Sequence, residues 1–230
     1  MCALAAREIK DEDVVFVGIG LPNLACNLAR ATHAPNLTLI YESGAVGARP
    51  ERVPPSIGDP ALVTGSLMVC SMADVFQSFL QNGKIQVGFL GGAQIDMRGN
   101  INTTVVGPYA APKVRLPGSG GACEIALHAR RLLVIAKLDR RAFPQKVDFV
   151  TSPGKRVGKV ITNMCVLEPD PASGELCLSR LYPGVTPAQV QANVGWPLRR
   201  LEPLGSVKPP TPTELSLLRD CLDPERRYIK

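Results

Sequence analysis

An α/β fold with an open, mostly parallel sheet and flanking helices is what this sequence predicts, on three observations. Val14-Val15-Phe16-Val17 is a continuous apolar run of the kind found in strands covered on both faces. A stretch with helical apolar spacing follows, carried by Leu24, Leu28 and Ala31. A second apolar run, Leu37-Thr38-Leu39-Ile40, then supplies the next strand of a β-α-β unit. At 230 residues, 45% apolar and 20% charged, the chain is sized for a large core, and a single domain over residues 1–230 is expected.

The first strand ends in the tight turn Gly18-Ile19-Gly20, and Pro22 suits the opening turn of the helix that His33-Ala34-Pro35-Asn36 terminates. The second strand runs into Glu42-Ser43-Gly44. Parallel strands leave a sheet at one edge, so both turns are expected there, where open α/β sheets bind ligands. Residues 45–60, rich in Pro and Gly, predict a long loop over the rim. Val63 to Val69 predicts a strand, and Ser71 with Asp74 three residues on predicts a helix to about Gln81, closed by Asn82-Gly83.

Ile85 to Leu90 predicts another strand, followed by Gly91-Gly92-Ala93-Gln94-Ile95-Asp96, the turn Arg98-Gly99-Asn100 and an extended stretch from Ile101 to Val106. Gly118-Ser119-Gly120-Gly121-Ala122 is the densest glycine cluster and stands before an expected helix from Cys123 to His128. Further strands are expected at Leu132–Ala136, Val147–Val150, Val160–Thr162 and Leu176–Leu181. Thr186-Pro187-Ala188-Gln189 and Thr211-Pro212-Thr213-Glu214 both read as capping boxes with Pro at the first helical position. The second opens a closing helix with Leu215, Leu218 and Leu222 on one face, and Pro203 to Pro210 reads as a surface connection before it.

Composition narrows the function. The formal net charge is +6, but the basic residues occur as isolated pairs such as Arg130-Arg131 and Arg199-Arg200, and aromatics are only 5% of the chain. That leaves little for base stacking and argues against nucleic acid in favour of solvated faces or attraction to a phosphate-bearing small molecule. No apolar run approaches the ~20 residues of a membrane span, and Met1 to Glu8 lacks the pattern of a secretory signal, so no membrane partner is expected. Seven cysteines, odd in number and without a C-x-x-C pair, read as buried free thiols in a reducing, cytoplasmic setting. Two histidines and no ligand-spaced cluster give no metal site and weaken any mechanism built on a His base.

Gly18-x-Gly20 after a strand has two glycines of a dinucleotide fingerprint, but Asn23 stands where the third is needed. Ser43 and Ser119 lie in glycine-rich turns outside any G-x-S-x-G elbow, so turn geometry explains them. A carboxylate at Glu42 beside glycine turns on one rim instead describes a carboxylate nucleophile with backbone N–H groups available to hold an oxyanion.

These residues carry a resemblance. Gly18-Ile19-Gly20-Leu21-Pro22, Glu42-Ser43-Gly44, Ser56-Ile57-Gly58-Asp59, Gly91 to Asp96, Gly99-Asn100-Ile101-Asn102, Gly118 to Ala122 and Asp148-Phe149-Val150-Thr151-Ser152-Pro153-Gly154 occur in register. In them the chain resembles the β subunits of family I coenzyme A transferases, most closely the glutaconate type. Lys155-Arg156-Val157-Gly158-Lys159 is short beside that type.

The resemblance implies that Glu42 is the catalytic glutamate. Gly18, Ile19, Gly20, Ser119, Gly120 and Gly121 are then oxyanion and CoA-binding residues, and Ser43, Gly44, Gln94 and Asn102 are candidates for the substrate site. It implies coenzyme A and acyl-CoA as substrates with no permanently bound cofactor. It also implies a homologous α subunit in a hetero-oligomer such as α2β2 or larger. The expected reaction moves CoA from an acyl-CoA to a carboxylic acid, dicarboxylic acids included, through a glutamyl-CoA thioester. Acyl-CoA hydrolysis or decarboxylation on the same fold is the alternative reading, and a non-catalytic ligand-sensing domain the remaining one.

Overall fold

Val15, Phe16, Val17, Leu39 and Ile40 are fully or nearly fully buried, and apolar runs of this kind place their strands inside a sheet with cover on both sides. The computed structural model describes residues 1–50 and 52–229. The chain forms two compact units, one of Met1–Leu90, His128–Arg130 and Pro210–Lys230, the other of Gly91–Leu127 and Arg131–Pro209.

In the first unit, α1 (Cys2–Arg7) packs on α2, and β1 (Val14–Phe16) leads through α2 (Leu21–Thr32) to β2 (Thr38–Ile40). The β1–β2 ladder is parallel, with Val14 opposite Thr38 and Phe16 opposite Ile40, so the expected β-α-β unit is present. Leu24 and Leu28 of α2 are fully buried, a burial that contributes about 1.5–3 kcal/mol for each side chain of this size. β3 (Ala45–Val46) and β4 (Met68–Val69) follow as antiparallel neighbours. β5 (Val87–Leu90) pairs in parallel on the other side of β1.

The expected strand from Val63 to Val69 shrinks to β4. Asp59 accepts the N–H of Ala61 and opens a 3-10 turn over Pro60–Val63, which takes Val63 out of extended conformation. The capping box at Ser71 is present in both halves and starts α3 (Met72–Asp74), which runs on as a π-helical turn over Val75–Leu80.

The second unit begins with two short hairpins, β6 (Gln94–Ile95) with β7 (Ile101–Asn102) and β8 (Val105–Val106) with β9 (Val114–Arg115). After α4 (Ala122–His128), β10 (Arg131–Ile135) pairs in parallel with β11 (Val157–Ile161). β12 (Cys165–Pro169) and β13 (Leu176–Leu181) extend the sheet antiparallel. α5 (Pro187–Ala192) starts at the expected Thr186–Gln189 capping box, and β14 (Arg200–Ser206) joins β13 in parallel.

The class is therefore α/β with open sheets, as expected, and antiparallel hairpins are interleaved with the parallel ladders. Val147–Val150 forms no strand, because Asp148 is spent on the hairpin loops, accepting from Gln94 Nε2 at 3.0 Å and from the N–H of Gly107 at 2.8 Å. Pro203 to Pro210 is not all connection either, since Pro203 lies in β14, and a proline is tolerated on such an edge strand. The closing helix of the first unit is α6 (Pro212–Ser216), continued by Leu217–Leu222, with Leu218 buried and Leu215 and Leu222 half-buried on its inner face. No helix among the described residues is long and apolar enough to cross a membrane.

Candidate active site

Glu42 sits on the tip of the β2–β3 hairpin. Gly44 N–H donates to the Tyr41 carbonyl at 3.0 Å and Tyr41 N–H donates to the Ala45 carbonyl at 3.0 Å. That pair of bonds defines a three-residue hairpin loop in which Glu42 and Ser43 are the central turn residues and Gly44, at φ 109°, is the bulge. A Cβ at position 44 would lie 2.0 Å from the Cys70 carbonyl oxygen, so only glycine fits.

Glu42 is half-buried and Ser43 exposed. Neither side chain hydrogen bonds to any described residue. The carboxylate is thus held on a short, rigid turn and left uncommitted, which is what a nucleophile requires.

The Gly18-Ile19-Gly20 loop leaves the sheet at the same edge as this turn. Val17 N–H donates to the Ile40 carbonyl at 3.1 Å, one residue before each chain departs. Gly18 and Ile19 are exposed, and a Cβ on Gly18 would meet nothing within 4 Å. Gly20, at φ 83°, is the N-cap of α2 and supplies no capping side chain, so the first N–H groups of the helix have no internal side-chain acceptor.

Sequence reasoning missed a buried relay behind these two turns. The Tyr41 hydroxyl accepts from Asn23 Nδ2 at 2.7 Å, and Asn27 Nδ2 donates to Asn23 Oδ1 at 2.8 Å. Arg30 then donates to Asn27 Oδ1 at 2.5 Å and to the Ala48 carbonyl at 2.8 Å. Burial pushes the Tyr41 phenol up to about 12, so it stays neutral, and the same loss of water lowers the Arg30 guanidinium. The one signal for this relay in the sequence was Asn23 standing at the third glycine position.

The remaining predicted residues belong to the second unit. Ser119 caps α4, its carbonyl accepting from Ala122 N–H at 2.9 Å and its Oγ from Cys123 N–H at 3.3 Å. Gly118 (φ 96°) and Gly120 (φ 49°) have open space where a Cβ would stand, and Gly121 is buried with its carbonyl accepting from Ile125 N–H.

Gln94 and Asn102 are buried cross-strand partners with internal work to do. Gln94 Oε1 accepts from Asn102 Nδ2 at 2.7 Å and from Asp148 N–H at 3.1 Å. Asn102 Oδ1 accepts the N–H groups of Thr104 and Val105. Asp96 and Asn100 hold the intervening turn, and the chain at Gly154 approaches so closely that a Cβ there would lie 2.1 Å from the Arg98 carbonyl oxygen. The motifs Gly91–Asp96, Gly99–Asn102 and Thr151–Gly154 therefore build one backbone knot.

Residues 1–193 match the family described as coenzyme A transferase. The chain is similar to a 3-oxoadipate CoA-transferase subunit of Pseudomonas knackmussii, 47% identical over 95% of this chain and 90% of that protein. It is 32% identical to a glutaconate CoA-transferase subunit of Acidaminococcus fermentans, over 98% of this chain and 91% of that one. The crystal structure of the glutaconate enzyme from that organism aligns with a TM-score of 0.92 at 30% identity, over 100% of this chain and 95% of the other. The decarboxylase AibA/AibB has the same fold, with a TM-score of 0.90 at 27% identity over 99% of this chain and 94% of that one. Sequence and fold agree with the resemblance carried by the motifs: the chain belongs to the coenzyme A transferase family and is a family I CoA-transferase β subunit.

Proposed function

We propose that this β subunit works with a homologous α subunit to move CoA from an acyl-CoA to a carboxylic acid, with Glu42 as the covalent nucleophile. The observation that carries the reading is the Glu42 carboxylate, fixed on a hairpin tip and unpartnered by any described residue. The 47% identity to a 3-oxoadipate CoA-transferase chain supports a 3-oxo dicarboxylic acid as the acid exchanged.

In this mechanism the Glu42 carboxylate attacks the thioester carbonyl of the donor, and the tetrahedral adduct expels CoA as thiolate to leave an acyl-glutamyl anhydride. The thiolate attacks the Glu42 carbonyl of the anhydride, forming the glutamyl-CoA thioester and releasing the donor acid. The acceptor carboxylate then reverses the sequence and departs as the new acyl-CoA. A thiol with a reference pKa of about 8.5 leaves without a proton, so no histidine acid is required in a chain that has two.

The oxyanion of each addition needs oriented donors, and removing one such donor costs about 2.7–4 kcal/mol of transition-state stabilisation. We assign that role to backbone N–H groups of the Gly18–Gly20 turn, which leaves the sheet at the same edge as Glu42. Gln94 and Asn102, committed to internal bonds, serve the hairpin that carries them, which leaves Ser43 and Gly44 as the proposed contacts to the acid.

The test is to co-express the chain with its α subunit, incubate with acyl-CoA and measure the mass of the Glu42 peptide. A CoA adduct that disappears in Glu42→Ala, with loss of turnover, supports transfer. Turnover that survives the substitution points to the hydrolase or decarboxylase chemistry found elsewhere on this fold, as in AibA/AibB.

A further inference from the structure

The Gly18-x-Gly20-x-x-Asn23 sequence is a dinucleotide fingerprint with its last glycine replaced, and the replacement has a visible use. A glycine at position 23 could reach nothing, whereas Asn23 sends its amide 2.7 Å from the Tyr41 hydroxyl, in the residue that immediately precedes Glu42. Both residues are fully buried.

A phenylalanine would fill the Tyr41 site without a hydroxyl to satisfy, and burying a polar pair in a dry core gains little net stability over apolar packing. What a buried hydrogen bond adds is direction, since it holds only one arrangement of its two partners. The relay continues through Asn27 and Arg30 to the Ala48 carbonyl, so α2 grips the hairpin on the arm before the turn and on the arm after it. The same helix starts at Gly20, the end of the glycine loop on the same edge.

We propose that Asn23 and Tyr41 are positioning residues that fix the aim of Glu42 and couple it to the Gly18–Gly20 loop. The Glu42 side chain has no described hydrogen bond of its own, so its direction is inherited from the backbone at Tyr41. This inference rests on the assignment of Glu42 as nucleophile and deepens it.

The experiment uses the co-expressed two-subunit enzyme with acyl-CoA and a carboxylic acid acceptor, and compares Tyr41→Phe, Asn23→Leu and the double variant Y41F/N23L. Each single substitution strands one buried polar group. The double variant removes both, while Asn27 Nδ2 keeps the Asn23 backbone carbonyl at 2.9 Å as its acceptor. Three quantities are measured: melting temperature, kcat against KM for acyl-CoA, and the single-turnover rate of CoA-adduct formation on Glu42.

The expected result is a loss of about tenfold to a hundredfold in kcat and in adduct formation for Y41F, with KM for acyl-CoA nearly unchanged, as misplacement of a reacting group produces. The double variant is expected to recover melting temperature and not kcat. A kcat that is unchanged in Y41F, or that recovers along with melting temperature in the double variant, shows the pair to be packing alone and overturns the proposal. Absence of a Glu42 adduct in the unsubstituted enzyme overturns the nucleophile assignment, and this inference with it. A normal adduct in the unsubstituted enzyme beside a fully active Y41F overturns only the inference.

Discussion

Gly44 shows how a three-letter motif is written by backbone geometry. At φ 109°, with the Cys70 carbonyl 2.0 Å from where a Cβ would stand, it admits no side chain. Gly44→Ala is expected to lose at least about 1–2 kcal/mol from the positive φ alone, or roughly 2–4 °C per kcal/mol in a chain of this length. Turnover should fall further than that loss explains, because the clash displaces the turn that carries Glu42. Thermal melts and steady-state assays on the same preparation check both.

Glu42 was legible in the sequence because a charge ending an apolar run has to leave the sheet. The Tyr41–Asn23 bond was not, because eighteen positions separate two residues whose pairing exists only once α2 lies against β2. Gln94 and Asn102 show a structural role that the sequence did not display. Their place in a family motif suggested ligand contact, while the structure fills their amides with hairpin bonds.

Among the elements, the capping boxes were the most readable signals, since each is a local contract between residues three apart. All three, at Ser71, Thr186 and Thr211, have both halves formed. Strands depending on distant partners were harder to read. β12 went unread, ending as it does in Glu168-Pro169, and β14 was hidden by Pro203, which an edge position tolerates.

Glu214 serves two elements at once. It accepts from Thr211 N–H at 2.7 Å within its own box and from Arg7 Nε of α1 at 2.9 Å. The Arg7 guanidinium, aided by the Thr211 N–H, holds its carboxyl below the usual carboxylate range. Folding therefore favours its ionised form. The stabilisation is complete above the unfolded-state value of about 4.3 and is lost as pH falls through the depressed native value. Glu214→Gln is expected to melt below the unsubstituted chain at pH 7, and the gap should close as pH drops below about 4, read from melting temperature against pH.

For the molecule as a whole, chain order and spatial grouping differ. The first unit is completed by residues 210–230, which follow the entire second unit in sequence. Ending the chain at Pro209 removes Glu214, the buried Leu218 and Asp223, whose carboxylate accepts the N–H groups of Arg227, Tyr228 and Ile229. Losses of several kcal/mol are large against typical stabilities of about 5–15 kcal/mol. The truncated chain is expected to melt on the order of 10 °C lower, or to give no cooperative transition by calorimetry. For the intact chain we propose one cooperative unfolding event, in keeping with a single domain over residues 1–230.

The distribution of sulfur gives the molecule a practical property. All seven thiols are free. Burial holds Cys2 up to about 12 and Cys165 up to about 11, and raises Cys26 well above the ordinary thiol range. Cys221 is the exposed one. A maleimide dye at neutral pH will therefore react there first, on the native chain with nothing replaced. That gives a fluorescent reporter for titrating acyl-CoA or a companion polypeptide.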